Sequence, residues 1–77
     1  MSRLILYSRP GCHLCDDART ILERVGEPFE DVDIETDPAL HAAYLERIPV
    51  VVLDGVERFE YFVDERALRR RLAGDSG

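Results

Sequence analysis

The chain has 77 residues, a formal net charge of −6 and 45% hydrophobic residues, enough for one small domain with a thin core. Its ten basic residues are all arginine, dispersed through an acidic sequence, which argues against a nucleic-acid binder. No apolar run reaches transmembrane length and the opening "MSRLILYS" is too short for a signal peptide, so a cytoplasmic location is expected.

"RLILYS" (Arg3 to Ser8) is a strand-length apolar run, broken by "RPG". From Cys12 to Val25 the pattern turns helical: Leu14, Ala18, Ile21, Leu22 and Val25 recur at spacings of three and four. Asp16, Asp17, Arg19, Glu23 and Arg24 then occupy the wetter face, and Gly26 stops the helix. Pro28 to Ile34 reads as a second strand carrying Phe29, Val32 and Ile34. Thr36 or Asp37 caps a short helix over Ala39 to Glu46, with Pro38 in its first turn and Leu40, Ala43, Tyr44 and Leu45 inward.

"IPVVVLDG" (Ile48 to Gly55) is the most apolar stretch and reads as a buried strand ending in an Asp-Gly turn, with "VERFEYF" returning as its hairpin partner. "VDERALRRRLAG" is the last helix, capped by Asp64 and packed through Ala67, Leu68 and Leu72, with its arginines on a solvated face. Gly74 to Gly77 is expected to fray. The order β-α-β-α-β-β-α predicts one α/β domain over residues 1–77, a four-stranded mixed sheet flanked by three helices, with the first strand central.

Both cysteines lie in "RPGCHLCDD", between the end of a central strand and the start of a helix, where an α/β sheet offers a crevice. A structural crosslink, half of a metal site and a working dithiol are the three readings of such a pair. A lasting structural disulfide is uncommon in the cytoplasm. Cys12, His13 and Cys15 supply at most three soft ligands, and a closed zinc site wants four, so no metal site is expected within one chain. A cluster shared between two chains stays open.

In the dithiol reading, Cys12 opens the helix, where free N–H groups and the positive helix end favour its thiolate. It is expected to titrate below a free thiol and to attack. Cys15, one turn on, faces inward, keeps a higher pKa and resolves the mixed disulfide. Arg9 on the loop and His13 beside Cys12 are candidates for tuning the sulfur or contacting substrate.

Taken together, "LILYSRPGCHLC", "IPVVVLDG" and the last helix resemble a glutaredoxin-like protein of the thioredoxin superfamily over nearly the whole chain. The resemblance implies a thioredoxin-like fold with a cis Ile48–Pro49 bond beside the dithiol. It implies that substrate pairs along the backbone of Ile48, Pro49 and Val50, with Tyr7 at the rim. Asp64 matches the acidic residue that opens the family's last helix. Glutathione-using members carry Gly-Gly after the fourth strand, and here "FEYFV" stands in its place, which argues for weak glutathione use unless Arg58 or Arg66 turns inward.

The expected activity is therefore that of a glutaredoxin-like thiol–disulfide oxidoreductase. It would act on disulfides of proteins or small molecules, as a monomer, with no bound cofactor and with glutathione or a dithiol donor as reductant. A redox-inactive binding or adaptor module on the same fold is the alternative from another class, and an iron–sulfur carrier is the third.

Overall fold

Four consecutive buried residues, Val50–Leu53, form the strand β3 at the heart of the sheet. A computed structural model describes residues 3–74 of the chain. Its elements run β1 (Leu4–Ser8), α1 (His13–Val25), β2 (Glu30–Asp33), a 3-10 turn (Ile34–Thr36), α2 (Pro38–Tyr44), β3, β4 (Val56–Glu60) and α3 (Glu65–Leu72). The sheet order is β2-β1-β3-β4. β1 is parallel to β2 through the α1 crossover and antiparallel to β3, so it is central, as its apolar run predicts.

The period of two divides the strands between two cores. Leu4 and Leu6 of β1 join Val51 and Leu53 of β3 on one face, under Ala18 and Leu22 of α1 and Leu68 of α3. The second core gathers Cys15, Ile34 and Ile48 beneath Tyr7, Leu40, Tyr44 and Leu45. The Asp54-Gly55 turn has both residues in the left-handed region (φ 52 and 83), which a two-residue hairpin requires. Asp37 caps α2 by accepting from the Ala39 N–H at 2.9 Å, and Pro38 occupies the first helical position.

Several boundaries differ from the sequence reading. Ile34 does not extend β2; it opens the 3-10 turn, because the Asp33 carboxylate accepts from the Glu35 N–H at 2.8 Å and bends the chain. α2 ends at Tyr44, and Ala43 is exposed rather than inward. β4 is a largely exposed edge in which Phe59 alone is half-buried, and it stops at Glu60. Of the tail expected to fray, residues 75–77 lie outside the described residues, whereas the Gly74 N–H bonds to the Arg71 carbonyl at 3.2 Å.

Candidate functional site

Cys12 is the N-cap of α1, with extended backbone (φ −95, ψ 113), and Gly11 before it takes a left-handed turn (φ 78) that a side chain would resist. The helix start then does two things. The Asp16 N–H reaches the Cys12 carbonyl at 3.0 Å, and the Cys15 N–H donates to Cys12 Sγ at 3.2 Å. A sulfur thus takes the place of the usual capping oxygen, so a donor already faces the atom that carries negative charge in thiol exchange.

Both thiols are free; Cys12 is half-buried and Cys15 is 0% exposed. Burial is the main reason the Cys15 thiol is pushed up to about 12. The hydrogen bond that the Cys15 thiol donates to Cys12 and the charge of Cys12 add to this, while the Arg9 backbone and the Arg19 charge oppose it. Two of the three raising causes therefore belong to Cys12. In a Cys12→Ala variant, Cys15 is expected to titrate lower than in the wild type yet above an ordinary thiol, since its burial is unchanged. Ultraviolet titration of the thiolate checks this, and an unaltered Cys15 titration would contradict the coupling.

The Ile48–Pro49 peptide bond is cis. Ile48 shares a buried cluster with Cys15 and Ile34, and Cys12 and Tyr7 pack against that cluster, so the proline loop borders the dithiol. The Ile48 N–H, however, already donates to the Tyr44 carbonyl at 3.1 Å, and the Pro49 carbonyl accepts from the Tyr61 N–H at 2.9 Å. The backbone expected to pair with substrate is thus partly engaged within the fold. Val50 is fully buried between its partners Tyr7 and Glu60. Tyr7 stacks on Tyr44 with ring centroids 4.6 Å apart, and the Arg47 guanidinium lies 5.3 Å over Tyr44.

The remaining expected residues fall as follows. The Arg9 side chain turns to Glu35 (2.9 Å) rather than to Cys12, because the 3-10 turn after β2 brings that carboxylate alongside the loop. His13 is exposed on the first turn of α1. Asp64 caps α3, its Oδ1 accepting from the Ala67 N–H at 3.1 Å. Glu60, the acidic residue of the "FEYFV" stretch, is paired with Arg47 at 2.8 Å, so its charge is largely offset. Arg58 and Arg66 are exposed.

Arg19 is the cation that the sequence reading missed. Placed on the wet face of α1 by periodicity, it folds instead over the sheet edge. Its Nε donates to Asp31 at 2.5 Å and another nitrogen donates to the buried Ser8 hydroxyl at 3.2 Å. It lies four residues after Cys15, one helical turn, and its charge acts on that sulfur. Among the described residues no three of His, Cys, Asp and Glu are grouped as metal ligands would be, and no helix is long and apolar enough to cross a membrane.

The Glutaredoxin-like domain (DUF836) family model matches residues 3–73. The chain belongs to this glutaredoxin-like family. The uncharacterized protein Rv0508 of Mycobacterium tuberculosis is 31% identical over 77 residues, covering 88% of this chain and 79% of that protein. The X-ray structure of the target protein XcR50 from X. campestris is 38% identical, with a TM-score of 0.76 over 92% of this chain and 96% of that one. The solution structure of glutaredoxin from Brucella melitensis is 30% identical, with a TM-score of 0.66 over 96% of this chain and 85% of that one. This glutaredoxin-like domain thus carries the Cys12–Cys15 pair where the fold places a CxxC site.

Proposed function

We propose that this glutaredoxin-like protein is a thiol–disulfide oxidoreductase. The observation that supports it most is the asymmetry of the pair: a half-buried Cys12 sulfur facing an N–H at the helix start, and a buried, protonated Cys15 thiol one turn on. The Cys12 thiolate attacks one sulfur of a substrate disulfide; the substrate S–S bond breaks and the other sulfur leaves as a thiolate. Cys15 then loses its proton and attacks Cys12 Sγ. The Cys12–Cys15 disulfide forms and the second substrate thiol is released, so one dithiol is oxidised as one disulfide is reduced. An external thiol restores the pair. The protein acts as a monomer in a reducing compartment, the cytoplasm, with no resident cofactor.

We further propose that glutathione serves weakly as reductant. Tyr61 and Phe62 put large side chains on the chain that follows β4, and the Ile48 N–H is taken by Tyr44, so one backbone donor for the tripeptide is already engaged. Tyr61 sits at φ 67, a conformation that glycine adopts freely, and its hydroxyl donates to the Glu46 carbonyl at 2.5 Å. The test is the rate at which oxidised protein is reduced by glutathione and, separately, by a thioredoxin-type dithiol. Fast reduction by the dithiol and slow reduction by glutathione are expected. Rapid reduction by glutathione, with a stable Cys12–glutathione adduct in Cys15→Ser, would overturn the assignment of reductant. Failure with both donors would favour a binding module.

A further inference from the structure

A groove of about 410 Å³ runs along the outer side of α1, walled on the other side by the chain that joins β4 to α3. Leu14, at one end of its α1 wall, lies inside the Cys12–Cys15 motif, so the groove opens beside the candidate site although neither thiol lines it. Leu14 and Ile21 line it from the helix, and Tyr61, Phe62 and Val63 face them. That volume falls in the range of about 300–1,000 Å³ typical of ligand sites.

Phe62 is 72% exposed at the rim, and its backbone is fixed. The Phe62 N–H bonds to the Glu60 carbonyl at 2.8 Å, and the neighbouring Tyr61 is tied to Pro49 and Glu46 through its N–H and hydroxyl. An isolated surface phenylalanine is ordinary, but one fastened at the edge of a groove that mixes apolar and polar side chains beside the dithiol motif offers area for a partner to bury. The charge of the groove is also one-sided. Arg24 is neutralised by Glu65, at 2.5 Å, whereas the Asp17 carboxylate has no hydrogen bond or ion pair among the described residues. An anionic ligand is poorly matched to such a lining, and a segment with apolar and basic side chains is well matched.

We propose that this groove recognises an extended segment of a disulfide-bearing protein, taking an apolar side chain near the substrate cysteine between Leu14, Ile21 and Phe62 and a lysine or arginine against Asp17. The proposal rests on Cys12 being the attacking thiol, and it names the substrate class of that site as protein rather than glutathione.

The test uses disulfide-linked peptides whose cysteine is flanked by leucine and lysine, or by serine and glutamate, with a small aliphatic disulfide as control. Wild type is expected to reduce the leucine–lysine peptide about tenfold faster than the other, the scale of one apolar side chain in a pocket. Phe62→Ser should erase the leucine preference. Asp17→Asn should remove an about two- to fivefold lysine preference, and Asp17→Lys should reverse it. The small disulfide should react equally with all variants. In parallel, the leucine–lysine peptide with its cysteine changed to serine is titrated into reduced wild type, and amide shifts are expected at Leu14, Ile21 and Phe62. Shifts without any thiol reaction would sustain the groove and sink the oxidoreductase reading. Reduction of all substrates without preference, preferences that survive in Phe62→Ser and Asp17→Lys, or no shifts at those residues would overturn the groove.

Discussion

The rate of the resolving step is expected to rise about tenfold per pH unit between about pH 6 and 8, because only the thiolate attacks and Cys15 is protonated throughout that range. In the reduced pair the Cys15 thiol is pushed up to about 12, chiefly by burial; in the mixed disulfide that burial remains and still holds it above an ordinary thiol, so its ionised fraction grows in proportion to hydroxide. The sign is fixed by that direction: a raised pKa leaves the thiol neutral at low pH and frees the nucleophile as pH climbs. Bonding of Cys12 to substrate helps as well. It removes the Cys12 charge and hydrogen bond that raise the Cys15 pKa, so the second thiol is released for attack once the first has reacted. Rapid-quench measurement of mixed-disulfide decay checks this. A rate that stays flat across the interval would mean that Cys15 is already ionised.

Leu68→Ala is expected to destabilise the fold by about 2–5 kcal/mol, the range for a fully buried leucine that leaves a cavity. Leu68 is 0% exposed and is the residue of α3 that enters the core of Leu4, Leu6, Ala18, Leu22, Val51 and Leu53. A domain of this size has a total stability of about 4–12 kcal/mol, so the loss is a large part of the whole. The same helix buttresses α1 through the Arg24–Glu65 pair, and α1 carries the thiols, so activity should fall in step with the folded fraction. Urea unfolding measures the effect. A loss below about 1 kcal/mol would mean that α3 is not docked as described.

The features legible in the sequence are those set by local chemistry or simple periodicity. Val50 to Leu53 are apolar on both faces because β3 is interior, and the sequence carries that as an unbroken run. Asp54-Gly55, the Asp37-Pro38 start and Gly26 at the end of α1 each announce a backbone requirement within two residues. Cys12 at the helix start follows from the same logic. What was hidden depends on which strands become neighbours. Arg19 looks like a wet helix position until β2 lies beside β1 and presents Asp31 and Ser8. Arg9 turns to Glu35 and Glu60 to Arg47 for the same reason, since each pairing joins segments distant in the chain. The engaged Ile48 N–H reflects the tight descent from α2 into β3, where the last carbonyls of α2 still seek donors.

The central claim is that Cys12 attacks and Cys15 resolves. Its most direct test is a single-turnover reaction of reduced protein with a disulfide peptide, acid-quenched and mapped by mass spectrometry, in wild type, Cys12→Ser and Cys15→Ser. Cys15→Ser should accumulate peptide bound to Cys12, wild type should pass through the same adduct to the Cys12–Cys15 disulfide, and Cys12→Ser should form neither. Reduction by Cys12→Ser at the wild-type rate, or an adduct mapped to Cys15 in the wild type, would contradict it.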